Sequence, residues 1–518
     1  MIAFAELLER LTFTPSRNGK IALLGRYFAT RPDPDRGYGL AALLGTLDFP
    51  AAKPGMIRSL AAARTDPVLF AWSYDFVGDL AETVALLWPD HPSIASPSLT
   101  EVVRALGAEP SPARIGAWLD TMDASTRLAL LKLVTGVLRV GASARLAILA
   151  LAEWGKVAPA EVEEVWHGLE PPYEALFAWL ERRGPRPDAQ AALVFRPLML
   201  SHPLEEADLP GLKAEDFLAE WKWDGIRVQV VAGPAGRRLY SRGAENISLA
   251  APEILDKLDT TGVLDGELLV AKERKIFPFA ALQKRLNRIK PTQKIIQEYP
   301  LIVRLFDMLW DGNEDLRSLP LTERRARLER WYQRTRPENM DLSPLIPFQT
   351  MAELQKLQEG ARAAGIEGLM LKRADSAYVA GRPKGPWWKW KRAPLTIDAV
   401  LMYAERGHGK RSSFYSDYTF GVWGEEGELT PVGKAYSGYT DEELRFLDRW
   451  VRGHTVARFG PVREVEKVLV MEVAFDAVQR SSRHKSGVAL RFPRIARLRR
   501  DKRAEEADRL AALRGWIG

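Results

Sequence analysis

The 518-residue chain contains no cysteine. That absence removes disulfides, thiolate zinc sites and cysteine nucleophiles together. Histidine is scarce as well. The six copies, His91, His167, His202, His408, His454 and His484, show no pair at metal-ligand spacing and read as ordinary surface or core residues. No apolar run approaches the ~20 residues needed to span a bilayer. The opening segment MIAFAELLERLTFTPSR brings acids and bases too early for a secretory signal and reads as an amphipathic helix, so the expected location is the cytoplasm.

What is present is the composition of a soluble globular protein, with 46% hydrophobic and 27% charged residues. The length exceeds what one core organises, and roughly three domains are expected. A formal charge of +7 fits a polyanionic partner, but over this length it fits a plain basic protein at least as well.

Residues 1–195 read as helical. DTMDASTRLALLKLVTGVLRV and ASARLAILALAEWGKV carry apolar residues at helical spacing, with Asp123 and Ser125 offering N-cap oxygens and Gly136 and Gly141 as punctuation. RRGPRPDAQ, at 182–190, reads as an interdomain linker. Over 196–393, short β-rich runs (IRVQVVA, RRLYSR, VLDGELLVA, LIVRLFDMLW, EGLMLKR) alternate with the helical FAALQKRLNRI and LTERRARLERWYQ, which predicts an α+β domain. Over 394–518, TIDAVLMYAE, YTFGVW and KVLVMEVAF surround a helix near TDEELRFLDRWV, the pattern of a small OB-fold β-barrel.

The chemistry is concentrated in a series of short segments. Glu-Trp-Lys-Trp-Asp-Gly-Ile-Arg at 220–227 places Lys222 among apolar, strand-like neighbours. Desolvation and nearby cations help an amine shed its proton and attack. Downstream come Arg242 at a strand end, then Asp265 and Glu267, two apart and able to share one face of a strand. Phe306, Glu367, Lys372, Arg382, Lys389 and Lys391 follow, and RFPRIARLRRDK closes the series. Arg and Lys suit a triphosphate, Glu267 and Glu367 offer hard oxygens for Mg²⁺, Phe306 offers a flat face for a purine, and Lys222 offers the attacking nitrogen. Taken singly, each has a plainer reading: a surface lysine, a core phenylalanine, a capping glutamate, a solvated basic face.

In family order, Lys-x-Asp-Gly-x-Arg, Ser-Arg-Gly, Leu-Asp-Gly-Glu-Leu, Phe-Asp, Glu-Gly-Leu-Met-Leu-Lys, Lys-x-Lys and Arg-Phe-Pro-Arg-x-x-Arg-x-Arg-x-Asp-Lys run from Glu220 to Lys502. This set resembles the ATP-dependent DNA ligases of the covalent nucleotidyltransferase superfamily. The segment LVTGVLRVGASARL makes the helical region similar to the DNA-binding domain of larger members, including a bacterial subgroup. The resemblance implies an all-α DNA-binding domain, an α+β nucleotidyltransferase (adenylation) domain and a C-terminal OB-fold. NAD-dependent ligases share the core but carry a four-cysteine zinc module, which a cysteine-free chain lacks.

By position, the resemblance implies that Lys222 is adenylylated, that Glu220 reads the adenine edge and that Phe306 stacks on the base. It gives Arg227 and Glu267 to the sugar, and Arg242 and Arg382 to phosphates of ATP or of the nick. Glu367, with Glu267, holds the metal, Mg²⁺ with Mn²⁺ as the alternative. Lys389 and Lys391 neutralise the α-phosphate and Lys372 is a further phosphate contact. Arg494, Arg497 and Lys502 orient the departing pyrophosphate. The expected reaction has three steps: lysyl–AMP formation, AMP transfer to the 5′-phosphate of a nick in duplex DNA, and displacement of AMP by the 3′-hydroxyl. A swing about Arg392–Thr396 is expected between steps. Residues 480–503, with ten Lys or Arg against Asp501 alone, would serve both triphosphate and duplex backbone. Lys132, Arg139 and Arg145 are expected to grip duplex phosphates without reading sequence. The family likeness further implies a monomeric, nucleoid-associated enzyme of DNA repair. An RNA ligase, an mRNA-capping guanylyltransferase and a non-catalytic DNA-end-binding module are the competing readings.

Overall fold

The computed structural model describes residues 1–517 except 48, 50, 90–95, 109, 137, 139–140, 188–193, 274, 289, 361–365, 408–413, 461 and 482–483. His91, His408, Arg139 and the end of the expected linker therefore lie outside the described residues. The chain divides into two compact units, one of residues 1–203, 212–347 and 370–389, the other of 204–211, 348–369 and 390–518. Among the described residues, no helix is long and apolar enough to cross a membrane.

The first unit opens with an all-helical region, from Ile2–Phe13 to Glu174–Leu180. Seven of its described helices start where a Ser or Asp side chain accepts an orphan N–H group of the first turn. Asp123 accepts from Thr126 N at the head of Ala124–Thr135, and Gly136, in the left-handed region at φ 72°, ends that helix. Ser125 lies inside the helix rather than at its cap, because Asp123 already takes that position. Phe4, Leu11, Leu24, Phe28, Leu130, Leu151 and Phe177 form one buried core.

The helical region is tied to the rest of its unit by Glu164, which accepts from Arg317 Nη1 at 2.5 Å and from Arg186 Nη2 at 2.9 Å. Beside it His167 packs edge-on to Phe195, with ring centroids 5.2 Å apart. Burial pushes the His167 imidazole down to about 3. An unfolded histidine takes a proton near pH ~6.5, so the unfolded chain binds more protons between that pH and 3, and stability falls as the solution is acidified through the window. The slope is about 1.4 kcal/mol per pH unit at most. His167→Phe is expected to flatten the fall in thermal midpoint between pH 6.5 and 5. An unchanged slope would assign that acid sensitivity to other groups.

Two sheets make up the α+β part. The first contains, in spatial order, Gly236–Ser241, β2 (Ile226–Gly233), β3 (Gly262–Lys272), β4 (Leu301–Asp311) and Glu314–Asp315, with β5 (Met340–Leu342) parallel to β4. In the second, β1 (Phe217–Lys222) lies between Leu345–Ile346 and β6 (Gly368–Arg373), which is followed by β7 (Trp387–Lys391) and His202–Pro203. Strand alternation sorts the side chains of the first sheet. Val228, Val230, Leu264, Leu268, Val303 and Leu305 pack on the helices through Ile254, Leu282, Leu328 and Trp331. On the other face, Val231, Val263 and Leu309 meet Phe195, Tyr378 and Trp387.

The second unit carries a seven-stranded antiparallel sheet centred on Leu395–Arg406, which pairs with Tyr415–Trp423, Val462–Val465 and Val470–Phe475. The helix Asp441–Gly453 interrupts the strands as its sequence predicts, opened by a capping box in which Thr440 and Glu443 satisfy each other's backbone N–H. Its Leu447 and Val451 join Ile397, Leu401, Phe420, Met471 and Phe475 in the barrel core.

Candidate nucleotide-transfer site

Lys222 is the last residue of β1, and Glu220, two residues earlier, shares its face of the strand. A three-residue connection, Trp223 to Gly225, leads into β2. Gly225 is required there: a Cβ at this position would lie 2.5 Å from Leu268 O and 2.8 Å from Glu267 Cγ. Gly266 is as constrained, since its Cβ would lie 2.6 Å from Val303 Cγ1 and 2.9 Å from Arg304 O. The glycines of Lys-Trp-Asp-Gly and Leu-Asp-Gly-Glu-Leu therefore let the loop after Lys222 and β4 approach β3 closely.

Glu220 is buried and accepts from Lys372 Nζ at 2.9 Å. That ammonium also lies 4.1 Å from the Phe306 ring centroid and 4.8 Å from that of Trp387. Lys372, expected at a phosphate, is thus a buried partner of the residue expected at the base edge, beside the ring expected to stack. Arg227 is enclosed too. Its Nε and Nη2 donate to Asp265 at 3.0 and 2.5 Å, its Nη1 to Met199 O at 2.6 Å and its Nη2 to Tyr378 Oη at 3.0 Å. Burial would lower its pKa, but Asp265 holds it above the ordinary arginine range. Burial, reinforced by the Asp265 charge, likewise raises the Tyr378 hydroxyl well above its usual value. Asp265 and Glu267, expected to face one cleft together, differ in burial and in partners. Asp265 is fully buried as the counter-ion of Arg227, whereas Glu267 is half-buried opposite Arg227 on β2 and Arg304 on β4.

Arg242 and Arg382 are exposed, on the turn after Gly236–Ser241 and on the segment before β7. Lys389 and Lys391 lie two apart on β7. In the second unit, Asp476 collects two of the expected phosphate ligands: Lys391 Nζ is 3.5 Å from Oδ2 and Arg494 Nη1 is 3.1 Å from Oδ1. Arg491 Nη2 lies 4.0 Å from Glu367 Oε1. Arg497 and Lys502 are engaged on the barrel, with Glu472 at 2.9 Å and Asp398 at 2.5 Å. In the helical region, Lys132 binds Asp79 at 2.5 Å and Arg145 binds Glu163 at 3.3 Å.

Sequence reading missed Trp387, Tyr378, Asp476 and the group Trp223, Arg304 and Asp341. The tryptophan-rich GPWWKWKR was the visible hint for the first of these. The others are rings, carboxylates and one arginine whose partners lie far away in the chain.

The chain matches the ATP dependent DNA ligase domain over residues 198–391 and the ATP dependent DNA ligase C terminal region over residues 411–502. It is 32% identical to a probable DNA ligase of Koribacter versatilis (strain Ellin345), over 98% of this chain and 95% of that protein. It is 29% identical to DNA ligase 1 of Korarchaeum cryptofilum (strain OPF8), over 98% of this chain and 97% of that protein. Among solved structures, one described as Pmar-Lig_Pre shares the fold with a TM-score of 0.60 at 15% identity, covering 96% of this chain and 99% of that one. The ordered motifs and the full-length similarity agree, and the chain belongs to the ATP-dependent DNA ligases, the family that uses ATP to seal nicks in DNA.

Proposed function

We propose that Lys222 is the covalent nucleophile of this ligase and that the chain joins 5′-phosphate and 3′-hydroxyl ends in duplex DNA through a lysyl–AMP intermediate. The observation that carries the reading is the position of Lys222, two residues past the buried Glu220–Lys372 pair and on the same strand face, with Phe306 packed against that pair. Glu220 presents a carboxylate to the exocyclic amine of adenine, Phe306 presents a ring to its face, and Arg227 and Glu267 serve the sugar. Arg242, Arg382, Lys389, Lys391, Arg494, Arg497 and Lys502 serve phosphates of ATP or of the nick. Lys372 acts through Glu220 rather than on a phosphate. All three steps are phosphoryl transfers, in which positioning and charge neutralisation dominate.

Among the described residues, no group of three or more His, Asp or Glu could hold a metal ion. The two carboxylates assigned to the metal suit Mg²⁺, which keeps several waters and takes one or two protein carboxylates together with substrate phosphates. Glu367, with Glu267, would hold it. Bound there, the ion would neutralise developing charge on the transferred phosphoryl group.

The test is to incubate the full chain with Mg²⁺ and a 5′-phosphorylated nicked duplex, supplying ATP or NAD separately. Sealing with ATP and not with NAD is expected. Lysyl–AMP formation without sealing would point to an RNA acceptor, and failure of both would leave a non-catalytic DNA-end-binding module.

A further inference from the structure

The connection that carries Lys222 from β1 towards β2 is held at both ends. At its far end Gly225 is packed against β3. At its near end Trp223, next in the chain to Lys222, lies against Arg304, whose Cζ is 4.1 Å from the indole centroid. The Trp223 ring N–H is buried and has no hydrogen-bond partner among the described residues. Packing on the guanidinium, not a hydrogen bond, therefore sets the orientation of the ring. Arg304 is itself fixed. Its Nε and Nη2 donate to the two carboxylate oxygens of Asp341 at 2.9 and 2.5 Å, a planar fork on a planar acceptor. β4 and β5 run parallel with Arg304 opposite Asp341. The Arg304 side chain is 13% exposed and that of Asp341 36%, so the guanidinium is shielded from water while the carboxylate side of the fork meets it.

We propose that Arg304, oriented by Asp341, is a positioning residue for the nucleophile: it clamps Trp223 and so fixes the direction in which the Lys222 amine leaves the end of β1. The proposal rests on the reading of Lys222 as the attacking residue. In the first step, the Lys222 nitrogen forms a bond to the α-phosphorus of ATP as the bond from that phosphorus to the bridging oxygen of the β-phosphate breaks. Pyrophosphate leaves and the amine gives its proton to solvent. The attack must be in line with the departing oxygen, and a displacement of about 1 Å costs on the order of 100-fold in rate. A lysine carries its amine on a flexible four-carbon stem. A rigid anchor in the adjoining residue limits how far the root of that stem can swing. The contacts of Arg304 with Trp223 and Asp341 involve none of the residues assigned to the nucleotide. The clamp therefore acts on the rate of the first step rather than on ATP affinity. It has no part in the last step, where the 3′-hydroxyl displaces AMP and no bond to lysine forms or breaks.

Arg304→Lys, Asp341→Asn and Trp223→Phe, made in the full chain, test this. Two rates are needed: single-turnover label transfer from α-labelled ATP across ATP concentrations, and sealing of a nick that already carries the 5′-AMP cap. Arg304→Lys keeps the charge but loses the plane, and Asp341→Asn weakens the fork. Each is expected to lower the maximal labelling rate roughly 10- to 100-fold, with the half-saturating ATP concentration and the sealing of the capped nick within about 3-fold of wild type. Trp223→Phe keeps an aromatic face and is expected to retain most of the labelling rate. Three results would overturn the clamp: labelling by Arg304→Lys at the wild-type rate, a raised ATP requirement with an unchanged maximal rate, or equal losses in both assays. Wild-type protein that takes no label, or takes it on a residue other than Lys222, would remove the underlying reading instead, and the wild type alone reveals this.

Discussion

Lys222→Ala is expected to abolish transfer of label from α-labelled ATP to the protein, and with it the sealing of an ordinary nick. In the proposed reading the Lys222 amine bonds phosphorus, and no other side chain at this position offers that nitrogen. Lys222→Arg is expected to fail as completely, since a guanidinium stays protonated and has no lone pair to offer. Both variants should still seal a nick supplied with its AMP cap, because that step exchanges bonds between two DNA ends and AMP alone. Label retained by Lys222→Ala would refute the assignment. Retained sealing of the capped nick would show that the loss is chemical and not a failure to fold.

The second large effect lies next to Phe306. That ring packs against Lys372 and Arg227, while its neighbour Asp307 is fully buried and receives Arg324, also fully buried, through two hydrogen bonds of 2.9 Å. Arg324 also donates to Leu319 O and Ser376 O, so one guanidinium ties β4, the helix Leu321–Thr335 and the segment before Tyr378. Removing one member of such a pair leaves an uncompensated buried charge, at a cost of about 3–5 kcal/mol. Asp307→Ala should lower the thermal midpoint of the first unit strongly and weaken labelling by loosening Phe306. Asp307→Leu combined with Arg324→Met removes both charges and should recover most of the midpoint. If the double variant melts as low as the single one, the loss belongs to shape and not to charge.

Much of the fold was legible because it depends on local periodicity. The two-residue alternation of VLDGELLV already places Leu264 and Leu268 on one face and Asp265 and Glu267 on the other. The helix after Thr440 announces itself by its capping box. What alternation cannot tell is which of two carboxylates on one face stays available and which is consumed by a buried arginine. That depends on Arg227, on the neighbouring strand 38 positions away. Lys372 shows the same limit: 152 positions separate it from Glu220, and its pairing with that carboxylate leaves no local trace. The Trp223–Arg304–Asp341 group joins three segments through a ring, a fork and a parallel strand pair, none of which leaves a periodic trace.

The division of labour on β3 also bears on how this chain can change. Its two faces come from alternate residues of one strand, so a single-residue insertion or deletion just after Val263 would turn Asp265 and Glu267 towards the helix-packed core and Leu264 and Leu268 to the face that carries Arg227. Substitution can adjust either face separately, but a change of length damages both at once. Variation in length among related chains should therefore collect in turns such as the one between Gly233 and Gly236, and strands β2 to β4 should keep a fixed residue count even where their sequences diverge.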